Sequence, residues 1–148
     1  NIMTNFFQST KRFSGYSVAF RQYKATHSHC QYIHGYSLEF IATFQGQLDQ
    51  YNWVNDFGIF SKNGTKQQLK YMFDHTTLVD ENDPHINIFQ TLHHKKIIQM
   101  RVVENLSSEY FAKIVFDILS EQNTDLMKCI KVECIENKNN SASYSIGI

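Results

Sequence analysis

Hydrophobic and polar positions alternate most cleanly between Tyr36 and Phe44. Tyr36, Leu38, Phe40, Ala42 and Phe44 share one parity, and Ser37, Glu39 and Thr43 the other. A period of two sends alternate side chains to opposite faces, so this segment predicts a strand with one buried face. A looser, strand-like pattern runs from Phe13 to His27, with Tyr16, Val18, Phe20 and Tyr23 set among polar residues. Between Thr65 and Phe73 the spacing of Leu69, Met72 and Phe73 turns helical, and Gly64 can end or start an element. The best helix runs from Ser107 to Ser120, with Phe111, Ile114, Val115, Ile118 and Leu119 on one stripe. Ser107 or Ser108 can cap it, and Glu109 suits the positive end of its dipole. From Lys128 onward Ile130, Val132 and Cys134 share a face. A polar turn follows at Asn137 to Asn140, then Ala142, Tyr144, Ile146 and Ile148 alternate, which reads as an antiparallel hairpin. A short strand is expected near Met100, and His85, His93 and His94 fall in polar, loop-like sequence where solvation is expected. Strands with helices grouped on one side of an antiparallel sheet make an α+β fold.

Composition narrows the function classes. The chain has 148 residues, without repeats or a Pro/Gly-rich linker, and reads as one domain over 1–148. Hydrophobic residues make up 42% and charged residues 19%, a globular balance, and the twelve Phe and eight Tyr favour a sheet-rich core. Lys plus Arg equals Asp plus Glu, so the basic excess that holds a nucleic-acid backbone is missing. No apolar run reaches the length of a membrane helix and no signal-peptide pattern is visible, which makes the cytoplasm the expected location. Cys30, Cys129 and Cys134 form no Cys-x-x-Cys pair. A disulfide framework is therefore not expected, and Cys129 and Cys134, in an apolar strand, are expected to be packing residues.

Three polar intrusions break the pattern. His34 has the parity of Tyr36 and Leu38, and Glu136 has the parity of Val132 and Cys134. A carboxylate on a core face is costly unless it is paired, so the two residues point either to a polar pocket or to the sheet's solvated rim. The third intrusion is the run from His27 to His34, where His27, His29, Cys30 and His34 fall within eight residues. Imidazoles from the end of one strand and the start of the next can converge on a cation, and zinc suits them; a histidine-rich surface turn is the bland alternative.

These residues resemble the 6-pyruvoyl-tetrahydropterin synthase family, and within it the bacterial 6-carboxytetrahydropterin synthase branch of the queuosine pathway. Tyr23-Lys24-Ala25-Thr26-His27 is similar to its aromatic-x-Ala-x-His, and Cys30 with His34-Gly35-Tyr36 to its Cys-x-x-x-His-Gly-His. Val54-Asn55-Asp56-Phe57, Asp74-His75-Thr76-Thr77-Leu78 and Asn105-Leu106-Ser107-Ser108-Glu109 resemble three further motifs in the family's order, and Glu136 with Tyr144 a fourth. Two departures stand out. Tyr36 occupies the place of the third family histidine, and only two residues separate His27 from Cys30 where the family has a longer loop.

The resemblance implies the tunnelling fold: a four-stranded antiparallel sheet with two helices on one face. Sheets of several copies would join edge to edge in a barrel, a homo-oligomer built as a hexamer from two trimers. It implies a pterin substrate, 7,8-dihydroneopterin triphosphate, converted to 6-carboxytetrahydropterin with loss of triphosphate and acetaldehyde. The pyruvoyl-forming reaction and a non-catalytic pterin- or purine-binding module are the alternatives. Cys30 is implied as acid or base, with Asp74 orienting His75. Glu136 is implied as the pterin anchor, supported by Ser107, Ser108 and Glu109. A Zn2+ ion is implied on His27 and His34, with His29 or Tyr36 as third ligand. No nucleic acid and no membrane is expected as partner.

Overall fold

A computed structural model describes residues 5–146. Its spine is a long antiparallel pair. Strand β1, Phe7–Phe20, runs against β2, His34–Gly46, with Phe13 opposite Phe40 and Phe20 opposite His34. The register shifts between Phe13 and Tyr16, where Gly15 takes φ 90°. This bulge lets Phe13 face the core with Tyr16, Val18 and Phe20 although its parity differs; a left-handed φ costs glycine nothing. The strand expected to reach His27 stops at Phe20, and residues 21–28 form an irregular loop.

The order continues with short α1 (Ile59–Lys62), α2 (Thr65–Phe73), β3 (Thr76–Asp80), α3 (Ile86–His94), β4 (Met100–Val103), α4 (Ser108–Ser120), β5 (Met127–Ile135) and β6 (Ser141–Ser145). The sheet has six strands, ordered β4-β3-β1-β2-β5-β6. The expected four-stranded antiparallel sheet is thus extended at one edge by β3 and β4, which run parallel to their neighbours. Parallel neighbours need crossover connections, and α3 supplies the one between β3 and β4.

Helices α2 and α4 lie on one face of the sheet as expected, and their Leu69, Phe73, Phe111, Val115 and Leu119 join the strand residues in one core. The third long helix was not expected. Ile86–His94 is the segment read as a histidine-rich loop, because Phe89 is its one fully buried residue and leaves little periodicity to read. Helix α3 packs on β3 and β4. Phe89 and Val79 are buried outside the main core cluster that holds Leu78, so α3 covers the opposite side of β3. His85 and His94 are exposed as expected; His93 is also exposed, but its Nδ1 accepts the Met100 amide at 3.1 Å.

One strand face needs correction. Ile130 does not share the buried face of Val132 and Cys134: Thr43 pairs Lys131 and Phe44 pairs Cys129, so Ile130 bulges out and only half-buries. Cys129 and Met127 carry the inward face instead. Cys129 and Cys134 are buried, as expected. The turn after β5 forms at Asn137, whose Oδ1 accepts the amides of Asn139 and Asn140. Ala142 and Tyr144 face inward on β6, Ile146 is exposed, and Ile148 lies outside the described residues. Among the described residues no helix is long and apolar enough to cross a membrane.

Candidate functional site

The loop after β1 sits where it does because of two residues whose roles the sequence did not reveal. Arg21 forms a two-pronged ion pair with Asp83, Nε to Oδ2 at 2.8 Å and Nη2 to Oδ1 at 2.6 Å, and the Asp83 side chain is only 1% exposed. The guanidinium beside it, chiefly through these hydrogen bonds, holds the Asp83 carboxyl below its ordinary range. Gln22 then closes the loop. Its amide donates to the Cys30 carbonyl at 2.8 Å, and its Nε2 donates to the Leu106 carbonyl just before α4. Replacing Gln22 by Ala keeps the first bond and removes the second. About 1 kcal/mol of stability should be lost, with faster amide exchange across 22–31 as the measured sign of a loosened loop.

Cys30 lies half-buried in a 3-10 turn, His29–Gln31, whose cap is the Ser28 hydroxyl accepting from the Cys30 amide at 3.1 Å. His34 opens β2 on the inward face. Its ring sits 5.0 Å from that of Phe20 and 5.3 Å from that of Tyr36, edge to face at 89°. Phe20 in turn meets Phe111 of α4 at 5.3 Å. Aromatic packing therefore joins the β2 end to the start of α4.

At that start, Ser107 caps the helix by accepting the Tyr110 amide at 3.1 Å. Ser108 is buried and donates to Glu136 Oε1 at 2.6 Å. The carboxylate is thus partnered, half-buried just past the end of β5, where it also borders a hollow of about 420 Å³ with Glu39 and the turn from Asn137 to Ser141. Continuing the register in which Phe40 faces Cys134 puts Glu136 beside Leu38, one inward position from Tyr36. Burial raises the Tyr36 phenol above its ordinary value, and Glu136 and then Cys30 push it further in the same direction. Ser107 and Glu109 face a cleft of about 680 Å³, which His27, Tyr23, Lys24 and Tyr144 also line. That volume suits a small organic ligand.

Cys30, His34, Tyr36, Ser108 and Glu136 thus gather at one end of the sheet, and His27, Ser107 and Glu109 border the adjoining cleft. Asp74 and His75 do not join them. Asp74 Oδ1 lies 2.8 Å from His75 Nδ1, and His75 adopts φ 57° with its side chain 78% exposed. It borders a different hollow of about 440 Å³, shared with Ser17, Thr77 and Gln99.

The expected zinc ligands do not converge either. His34 suits one ligand position: its Nδ1 faces the Tyr32 carbonyl at 2.7 Å, which leaves Nε2 free. His27 and His29 are exposed, and the His29 ring packs loosely on Tyr32 at 6.4 Å. Among the described residues no three His, Cys, Asp or Glu side chains are grouped to hold an ion. Among the described residues His27, His29 and His34 therefore do not form a three-histidine site within one chain.

The family model described as 6-pyruvoyl tetrahydropterin synthase matches residues 7–146. No curated protein sequence matches. Among solved structures, an uncharacterised Wolinella succinogenes protein is 18% identical with a TM-score of 0.78, over 96% of this chain and 99% of that one. The Caenorhabditis elegans 6-pyruvoyl tetrahydropterin synthase is 18% identical at 0.67, covering 99% and 100%. The Plasmodium vivax 6-pyruvoyl tetrahydropterin synthase is 14% identical at 0.67, covering 98% and 100%. At these identities the structural likeness concerns the fold.

Proposed function

Because the chain belongs to the 6-pyruvoyl tetrahydropterin synthase family, we propose that it is a pterin lyase converting 7,8-dihydroneopterin triphosphate to 6-carboxytetrahydropterin, with loss of triphosphate and acetaldehyde. The product would serve queuosine synthesis. The observation that carries this reading is Glu136, held by Ser108 and set by the strand register beside Leu38, one inward position from Tyr36. A pterin ring offers an amide-like N–H next to an exocyclic amine, two donors side by side. A carboxylate accepts both, and Oε1 retains a lone pair after bonding Ser108. Ligand donors then replace the water that the carboxylate lost on burial.

Cys30 is placed to take a proton from a side-chain carbon of the bound pterin. In the paired arrangement Asp74 fixes the proton of His75 on Nδ1, so Nε2 is left to exchange a proton with substrate. His75 borders a hollow that Cys30 does not line, so the reading requires a second copy to bring His75 to Cys30. The proposed assembly is a hexamer of two trimers. The dispersed histidines favour a second reading, a pterin-binding module without catalysis.

Mass spectrometry of products formed from 7,8-dihydroneopterin triphosphate separates these readings. Acetaldehyde with the carboxy product supports the first, and a pyruvoyl product moves the activity to the other branch. Binding without turnover supports the module. Glu136→Gln keeps the shape and the Ser108 contact but removes the charge. It should weaken pterin binding about 10- to 100-fold, the worth of a hydrogen bond to a charged group, as read by ligand fluorescence. Unchanged affinity would remove Glu136 as the anchor.

A further inference from the structure

Tyr36 stands where a third imidazole would complete a metal centre. We propose that its phenol O–H, rather than a histidine-held zinc ion, hydrogen-bonds the side-chain oxygen of the pterin on which negative charge builds during the reaction. The inference rests on the pterin reading above.

Three observations carry it. The candidate ligands His27, His29 and His34 do not gather among the described residues, so no Lewis acid is held at this point by the chain's own geometry. The Tyr36 ring is fixed, by contrast, with His34 edge-on at 5.3 Å and Phe20 at 5.8 Å, on a strand whose next inward residue, Leu38, is fully buried. Neighbouring polar groups bond other partners: Ser108 donates to Glu136 Oε1, and His34 Nδ1 faces the Tyr32 carbonyl. The phenol has no hydrogen-bond partner among the described residues. A packed ring with a free O–H, one inward position along β2 from Leu38, the residue the register sets beside Glu136, is a preorganised donor.

A phenol is protonated at neutral pH, and metal ligation would require its anion. As a donor it needs no ionisation. Tautomerisation first moves two hydrogens, from C1′ and its hydroxyl, onto the C6=N5 bond and leaves a C1′ ketone. When Cys30 then takes the C2′ proton, the electron pair delocalises onto that ketone oxygen and the phenol hydrogen bond strengthens as the charge grows. Tyr36 keeps its proton. Expulsion of triphosphate from C3′ takes up the electron pair, discharges the oxygen and leaves the donor in its starting state. A fixed donor of this kind stabilises the charged state without reorganising, which is where its rate effect arises.

The experiment uses the whole chain, stripped with a chelator and then titrated with zinc against a chromophoric competitor, in wild type, Tyr36→Phe and Tyr36→His. Wild type and Tyr36→Phe should bind zinc equally weakly, and Tyr36→His about tenfold or more tightly, because it adds an imidazole to His34. Stripped wild type should turn over the pterin triphosphate as fast as zinc-treated protein. Tyr36→Phe, which keeps the ring packing, should lose about 10²-fold in kcat with KM little changed. One equivalent of tightly held zinc in wild type that weakens in Tyr36→Phe would overturn the proposal. So would turnover that appears only when zinc is restored. Absence of turnover under every condition would overturn the pterin-lyase reading itself and the Tyr36 role with it, a result distinct from zinc-dependent turnover.

Discussion

Cys30→Ala should lower turnover of 7,8-dihydroneopterin triphosphate by about 10²- to 10⁴-fold, the range lost when a positioned acid or base is removed, and leave pterin affinity unchanged. The bonds that shape the loop at this position are main-chain ones: the Cys30 amide to Ser28 Oγ and its carbonyl from the Gln22 amide. Alanine preserves both, so the substitution removes a thiol without moving the turn. The other two thiols cannot stand in. Cys129 and Cys134 are buried and burial pushes each up to about 12. Iodoacetamide should therefore label one site in the folded protein, Cys30, and bound pterin should protect it. Steady-state kinetics and intact-mass analysis read both results. Full activity in Cys30→Ala would remove this residue from the mechanism.

The largest effect on stability is expected at Arg21→Ala. The substitution leaves the Asp83 carboxylate, 1% exposed, without its two charged donors. The cost should be about 3 kcal/mol, the lower end for breaking a buried pair, because a fifth of the Arg21 side chain reaches water. With a urea slope of about 1–3 kcal/mol per molar, the unfolding midpoint should fall by about 1–3 M. Arg21→Lys keeps the charge but not the fork and should fall between. The pH dependence has a definite sign. The folded carboxyl titrates below its unfolded value, so the pair's stabilisation is complete above about pH 4. It is lost as pH falls through the folded value. The midpoint difference between wild type and Arg21→Ala should therefore shrink below about pH 4. A constant difference would mean that the loss comes from packing alone.

Much of the fold was legible along the chain. The alternation of Tyr36 to Phe44, the helix at Thr65–Phe73 and the Ser107 cap of the long helix all appear where periodicity put them. Each of these elements buries one face against the core, and burial writes its period into the sequence. The elements misread lack that signature. Strands β3 and β4 have five and four residues, and β3 is buried throughout Thr76–Val79, so it shows no alternation. Helix α3 hides behind two histidines in its last turn, a third at its N-cap and a single buried Phe. The Ile130 bulge reverses parity halfway along β5, and a bulge leaves no periodic trace.

The same division holds at the site. Sequence by itself singled out the candidate residues, because a carboxylate or an imidazole on a buried parity stands out against its apolar neighbours. It also determined the local devices, such as the serine cap and the adjacent Asp74–His75 pair, whose geometry is set within a few bonds. Only the tertiary structure decided which of these groups meet. Ser108 reaches Glu136 across 28 residues, and Arg21 reaches Asp83 across 62. His27 and His29 are exposed and form no three-residue group with His34, and His75 opens into another hollow. Those outcomes depend on the path of a loop and the register between strands, which long-range packing sets and local periodicity does not record.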